Sequence, residues 1–174
     1  MINQVFNDFY TEAEYKQFSD YIKNVVYKSN NFAMEKALGR YYGVIQDKLM
    51  SYDSIGNFPT NLLDKTQKFA EKHFNIQELQ IFDIIIIRYC TNNELVPKLS
   101  YHKDGGTLTK YTVDYQHDAN ITWPVLVEDK EFILENNSAV TFIGTKQMHG
   151  RPEKVFSNND YVENVFFQFT EKRK

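Results

Sequence analysis

The sequence predicts an α+β domain in which helices near the front of the chain brace a β sandwich or barrel built from the remainder. Three observations predict it. Apolar residues recur at helical spacing within the first 78 residues. From residue 79 to about 170, short strand-like segments follow one another closely. The chain of 174 residues, 42% apolar and with 14 Phe and 12 Tyr, is enough for one filled core. It therefore reads as one domain over 1–174, with 1–78 mainly helical support and 79–170 the β core.

In Thr11-Glu-Ala-Glu14, Thr11 is placed to cap a helix and Glu14 to reach back to it. Tyr15, Phe18, Tyr21, Ile22, Val25 and Val26 follow at helical intervals. A second helix is expected over 44–50. Asn57-Phe-Pro-Thr60 breaks the chain, and Thr60 or Asn61 would cap a third helix through Phe74, with Leu62, Leu63, Phe69 and Ala70 apolar. Isoleucine-rich 80–88 reads as a buried strand. Further strands are expected at 99–104, 110–115, 120–127, 131–134, 138–143 and 162–169. Pro124 marks an edge or bulge in the fourth of these seven, since it has no N–H to give a ladder, and Glu135-Asn-Asn137 forms a turn.

Bulk properties exclude several classes. A net charge of −3 gives no basic face for sequence-independent nucleic-acid binding, so nucleic acid is a disfavoured partner. The single cysteine, Cys90, rules out an internal disulfide and a zinc–cysteine site, which fits a reducing, cytoplasmic setting. The opening Met1-Ile-Asn-Gln-Val-Phe6 has no basic start or long apolar run, so no secretory leader is expected. The longest apolar run, Ile84 to Ile87, is far too short for a membrane span.

The chemistry is concentrated in His102 and Asp104, one residue apart, and in His149, 45 positions after Asp104. On a strand, residues i and i+2 face the same side, so His102 and Asp104 can reach one point. A second imidazole from a neighbouring strand completes a set that holds Fe(II) on one face and leaves its other positions open. The plainer reading is a polar strand end and an unrelated histidine. Among the other polar residues, His117-Asp118 is expected in a loop before strand 120–127. His73 ends the third helix in a structural role. Cys90, Trp123 and Tyr101 are expected in the core, and Lys103 and Lys146 in solvent. Gly105-Gly106 is either a mobile loop over the ligands or an ordinary turn. Gly39-Arg-Tyr-Tyr-Gly43 lacks a phosphate-loop pattern; Arg40 and its tyrosines are placed at a substrate entrance.

Several segments extend the pattern. They are Arg88-Tyr89; Pro97-Lys-Leu-Ser-Tyr-His-Lys-Asp104; Trp123-Pro-Val-Leu-Val-Glu-Asp129; Ser138-Ala-Val-Thr-Phe-Ile-Gly144; and Met148-His-Gly-Arg-Pro-Glu153. In order and content they resemble the Fe(II)- and 2-oxoglutarate-dependent oxygenases from about residue 79 to 169. The resemblance implies a double-stranded β-helix, or jelly roll, with His102, Asp104 and His149 as iron ligands. It also implies 2-oxoglutarate as co-substrate, decarboxylated to succinate as a substrate is hydroxylated.

One departure stands out. That family meets the far carboxylate of 2-oxoglutarate with Arg or Lys, often on the last strand, and Tyr161-Val-Glu-Asn-Val-Phe-Phe-Gln168 has neither. Among Arg40, Arg88, Arg151 and Arg173, Arg151 is the first choice because an extended chain puts it on the His149 face. Arg88 is second; its plainer role is a strand-end arginine paired with a surface carboxylate. Tyr89 stands where some relatives offer a hydroxyl to the co-substrate. The missing cation keeps open a cupin-like metal enzyme that does not use 2-oxoglutarate. A non-catalytic β-sandwich interaction module is the third reading. A small molecule or a peptidyl side chain is the expected substrate, with no membrane partner.

Overall fold

The computed structural model describes residues 3–47, 55–90 and 96–172. After strand β1 (Val5–Phe6), helix α1 (Glu12–Tyr21) starts at the expected capping box, where Thr11 N donates to Glu14 Oε2 at 2.8 Å and Glu14 N donates to Thr11 Oγ1 at 3.4 Å. It runs into a five-residue π turn over Ile22–Val26, which keeps Ile22 and Val26 buried. Strands β2 (Ala33–Glu35) and β3 (Arg40–Asp47) follow, then helix α2 (Thr60–Phe74). Its N-cap is Pro59 and not Thr60 or Asn61, and no side chain caps it. Leu62, Thr66, Ala70 and Phe74 recur every four residues as its buried stripe.

The expected helix over 44–50 is corrected. Residues 44–47 belong to β3, and 48–50 lie outside the described residues. Here the β-branched pair Val44-Ile45 and pairing with a long neighbour override a helical reading of a short apolar run. The remaining strands are β4 (Leu79–Cys90), β5 (Leu99–His102), β6 (Tyr111–Ala119), β7 (Val125–Val127), β8 (Lys130–Phe132), β9 (Ser138–Ile143), β10 (His149–Arg151) and β11 (Tyr161–Glu171). Pro124 explains why β7 is shorter than 120–127: the ladder begins only after it.

The strands form a double-stranded β-helix. The larger sheet has the order β1-β9-β6-β11-β4-β3-β2 and the smaller β5-β10-β7-β8, antiparallel throughout. Central β11 pairs with β4 on one side, from Tyr161↔Cys90 to Glu171↔Leu79, and with β6 on the other. Alternation along the strands divides the core in two. Val165, Phe167 and Phe169 join Ile84, Ile86, Val113 and Tyr115 against the helices, which contribute Phe18, Ile22, Leu62 and Phe74. Val162 and Phe166 point inward with Ile87, Tyr89 and Trp123, while Val140 and Phe142 meet Val125, Val127 and Leu134 of the smaller sheet's side.

Phe18 is completely buried and meets Phe58 and Tyr115 edge-on. Phe18→Ala is expected to lower the unfolding free energy by about 3–5 kcal/mol. Urea denaturation measures it; a loss under about 1 kcal/mol would mean that α1 does not brace the sheet.

Candidate metal centre

Antiparallel pairing sets His102 of β5 directly opposite His149 of β10, with ring centroids 4.5 Å apart. Asp104 lies two residues past His102, where the chain has left β5. Its N–H donates to Gly144 O at 2.9 Å, so the loop stays pinned to the end of β9. Asp104 Oδ1 is 3.8 Å from His102 Nε2 and 3.6 Å from His149 Nε2. One ligand atom from each of the three residues lies within 4.8 Å of the other two. An octahedral face with bonds of about 2.1 Å needs donors about 3.0 Å apart, so the two carboxylate–imidazole separations close by less than about 1 Å, and the widest separation by up to about 1.8 Å, to meet one ion.

The donor chemistry fits. His102 Nδ1 lies 2.6 Å from Ser100 O, and His149 Nδ1 lies 3.1 Å from Gln147 O. A carbonyl only accepts, so each Nδ1 carries its hydrogen and each Nε2 keeps its lone pair for a metal. Burial pushes the His149 pKa down and favours the neutral imidazole that ligation requires. Asp104 Oδ2 accepts from Gln168 Nε2 at 3.1 Å, which orients the carboxylate.

Two close approaches depend on glycine. A Cβ at Gly144 would lie 2.0 Å from Asp104 Oδ2 and 2.9 Å from its Cγ. At Gly150 it would lie 2.7 Å from Leu99 O, at the contact where β10 meets β5. The cluster opens into a cavity of about 170 Å³ lined also by Arg40, Tyr42, Thr112, Phe142, Phe166 and Gln168.

Behind it lies a buried polar group. Arg151, 3% exposed, donates from Nη1 to Trp123 O and from Nη2 to Asn164 Oδ1 at 3.1 Å. Asn164 Nδ2 donates to Asp114 Oδ1 at 2.7 Å. Burial pushes the Asp114 carboxyl up to about 6, against the pull of Arg151 and the bond from Asn164. The Tyr89 hydroxyl sits beside the Arg40 and Arg151 guanidiniums without a well-formed hydrogen bond. Arg151 Nε, Thr112 Oγ1 and Gln168 Oε1 are likewise buried without a partner in the protein.

The sequence-selected residues divide accordingly. His102, Asp104 and His149 come together, and Arg151 and Tyr89 lie in the interior behind them. Arg88 does not join them. It alternates to the helix side of β4, where Nη1 donates to Tyr27 Oη at 2.7 Å and to Glu163 Oε2 at 3.4 Å, and its guanidinium stacks 3.8 Å over Tyr161. Its carboxylate partner is completely buried, not at the surface.

His117 is corrected as well. It belongs to β6, is buried, and binds Glu163 Oε1 through Nδ1 at 2.5 Å and Ser19 Oγ through Nε2 at 2.9 Å. Burial alone would raise the Glu163 pKa, but His117, Tyr27 and Arg88 together hold it below the usual range. Tyr101 is 43% exposed rather than core, because β5 edges the smaller sheet. Cys90 is only partly buried. Trp123 does pack inside, against Tyr89 and Phe156, and donates from Nε1 to Pro152 O at 2.8 Å. His73 donates to or accepts from Thr141 Oγ1 at 2.8 Å and stacks on Phe69, as a structural residue does. Gln168, Asp114 and Asn164 escaped the sequence reading. Their one signal is the run of Thr112, Asp114 and Gln116 at every second place of β6; in β11 Asn164 and Gln168 lie four apart with Phe166 between them.

The fold and the two-histidine, one-carboxylate cluster define a class: the chain has the double-stranded β-helix fold of the 2OG-Fe(II) oxygenases. Particular structures that it resembles include an oxidoreductase of that family from Burkholderia pseudomallei (TM-score 0.69, 12% identity, covering 97% of this chain and 84% of that one). A prolyl hydroxylase from Trichoplax adhaerens, in complex with a hypoxia inducible factor oxygen degradation domain peptide fragment, superposes at TM-score 0.65 and 11% identity, over 97% and 83% of the two chains. HygX from Streptomyces hygroscopicus, with nickel, 2-oxoglutarate and hygromycin B bound, gives TM-score 0.66 and 10% identity over 97% and 82%. At these identities the likeness is one of fold. No family model and no curated protein matches the chain. No helix among the described residues is long and apolar enough to cross a membrane.

Gly144→Ala is expected to displace the Asp104 carboxylate and weaken Mn(II) binding about 10–100-fold, with little change in the far-ultraviolet circular dichroism. Calorimetric titration with Mn(II) tests it, and wild-type affinity would show that Asp104 does not need this position. Asp114 gives a pH prediction. Its folded pKa, about 6, exceeds the ordinary 3.8, so its contribution to stability is full below about pH 4 and is lost as pH rises through 6. The unfolding free energy of the wild type minus that of Asp114→Asn should therefore fall by about 2 kcal/mol between pH 4 and 7. A flat difference across that range would show that Asp114 titrates normally.

Proposed function

We propose that this protein is an Fe(II)- and 2-oxoglutarate-dependent oxygenase, a hydroxylase of a small-molecule or peptidyl substrate. The observation that carries the reading is the convergence of His102 Nε2, His149 Nε2 and Asp104 Oδ1 at the mouth of an interior cavity. These three residues hold the metal and leave one side of it to ligands. Iron bound there with 2-oxoglutarate supplies the oxidising chemistry: dioxygen is consumed, the 2-oxo acid becomes succinate and carbon dioxide, and a substrate C–H becomes C–OH.

The protein's own residues bind and orient. Arg151 receives the far carboxylate of 2-oxoglutarate, with the Tyr89 hydroxyl beside it. The Arg151 Nε supports this assignment, because a buried donor without an acceptor suits an incoming anion. Phe142 and Phe166 keep the cavity wall apolar and limit access of water. The HygX complex with nickel and 2-oxoglutarate and the prolyl hydroxylase complex with a peptide are relatives in fold for which such ligands are recorded.

Asp114 supports a second reading, a metal enzyme of the same fold without 2-oxoglutarate, because it already supplies a counter-charge to Arg151. Anaerobic titration of the Mn(II)-loaded protein with 2-oxoglutarate separates the two.

His102→Ala, Asp104→Ala and His149→Ala are each expected to abolish succinate release from 2-oxoglutarate, and Arg151→Ala to raise the 2-oxoglutarate requirement at least about tenfold. Succinate is assayed with Fe(II) and ascorbate present. Retention of turnover by all three ligand variants would overturn the metal assignment.

A further inference from the structure

The metal-side cavity is one of two that share a wall. A second cavity, of about 520 Å³, lies outside β2 and β3, and Arg40 and Tyr42 line both. The two residues are i and i+2 on β3 and so share a face, with the guanidinium 5.3 Å from the Tyr42 ring centre. This pair stands on the wall between the outer cavity and the one that holds the metal cluster.

Arg40 is the one cation among the described residues that line the metal-side cavity. Its surroundings are lopsided. The side chain is 12% exposed, and its Nε donates at 2.6 Å to Glu35, whose side chain is 41% exposed. Arg40 and Glu35 stand opposite each other in the β2–β3 ladder, which fixes the guanidinium in place. A half-exposed carboxylate is well solvated on its own and gives little back to a buried cation. Tyr89, opposite Arg40 in the β3–β4 ladder, turns its hydroxyl to the guanidinium; of the charges nearby, Asp104 belongs to the metal cluster, and Asp114 and Arg151 offset one another deeper in the interior.

Resting on the oxygenase reading above, we propose that Arg40 is the specificity-determining residue of the site and that the substrate carries a carboxylate. The carboxylate docks on the Arg40 guanidinium in place of Glu35, the body of the substrate lies along Tyr42, and the carbon to be oxidised reaches the His102–Asp104–His149 cluster. A planar guanidinium suits this role because it meets a carboxylate with two parallel hydrogen bonds. Free carboxylic acids and acidic peptide side chains share that chemistry.

The test compares acids with their amides by thermal shift and calorimetry, on the metal-free protein and again with Mn(II) and saturating 2-oxoglutarate. The probes are 3-phenylpropanoate against 3-phenylpropanamide, and Ac-Ala-Glu-Ala-NH2 against Ac-Ala-Gln-Ala-NH2. The expected result is at least about a tenfold preference for the acid in one pair, which identifies the source as free acid or peptide. Arg40→Gln should erase that preference while leaving 2-oxoglutarate affinity within about twofold. Glu35→Gln, which removes the competing carboxylate and keeps Arg40, should strengthen acid binding several-fold and covers the case in which Arg40→Gln does not fold. Equal binding of acids and amides, a preference that survives Arg40→Gln, or a loss of 2-oxoglutarate affinity in that variant would each overturn the proposal. A protein that prefers acids through Arg40 but ignores Mn(II) and 2-oxoglutarate would uphold this inference and sink the oxygenase reading alone.

Discussion

The pairing of β5 with β10 governs the rest of the site. It sets His102 opposite His149, and each ring is then tied to its own strand by the same device, an Nδ1–H donated to the carbonyl two residues back. The rings need no contact from substrate or solvent to hold their tautomers. The strands come this close only because Gly150 puts no side chain against Leu99 O. Asp104 is positioned from the other sheet, through the carbonyl of Gly144 and the amide of Gln168. The cluster therefore spans both sheets, and any loss of their relative placement is felt first at the carboxylate.

The larger sheet keeps two buried sets of charges apart. On the helix side, Glu163 collects bonds from His117, Tyr27 and Arg88, so both of its oxygens are engaged. That group ties α1 and the π turn to β4, β6 and β11. Inside the barrel, one residue away on the same strand, Asn164 bridges Arg151 and Asp114, yet donors and acceptors around it remain unmet. Each such group costs about 1–3 kcal/mol when buried alone. The contrast between a satisfied cluster and an unsatisfied one is the physical reason for placing ligands in the second.

Much of this was legible in the sequence, for identifiable reasons. His102-Lys-Asp104 stands out through the two-residue period of a strand, although β5 ends at His102 and contacts to Gly144 and Gln168 hold Asp104, and the capping box at Thr11 is local chemistry. Strand 138–143 was bounded correctly because turn residues precede it. Where a segment's state depends on a distant partner, the sequence misled. The stretch at 44–47 is a strand because β4 accepts it, and His117 lies within a strand because β11 runs alongside with Glu163 in register to meet it. Arg88 and Tyr89 are adjacent in sequence and fall on opposite faces of one strand, so the choice between them as interior residues needed the side of the sheet, which periodicity alone does not give. Nor does sequence disclose that Gly144 marks the space of a carboxylate forty residues earlier.

The interior charges also bear on how stable the site can be. Arg151 is held in a nearly solvent-free position with Asp114 as its counter-charge, and the carboxyl of that pair has its pKa driven up by burial. Apolar residues of similar size would pack the same space at lower cost. Arg40 presses the same point from the rim, since a guanidinium largely shielded from water is held by a carboxylate that solvent satisfies equally well. Arg151, Asp114 and the Tyr89 hydroxyl are thus buried in the interior, and Arg40 stands on the cavity wall, at positions that apolar side chains would fill more cheaply. Local choices that run against stability are expected where a protein binds its ligands. Here two of the three buried or shielded charges are positive. Arg151 is buried with its counter-charge, whereas Arg40 alone of the two cations stands on the wall that the metal-side and outer cavities share.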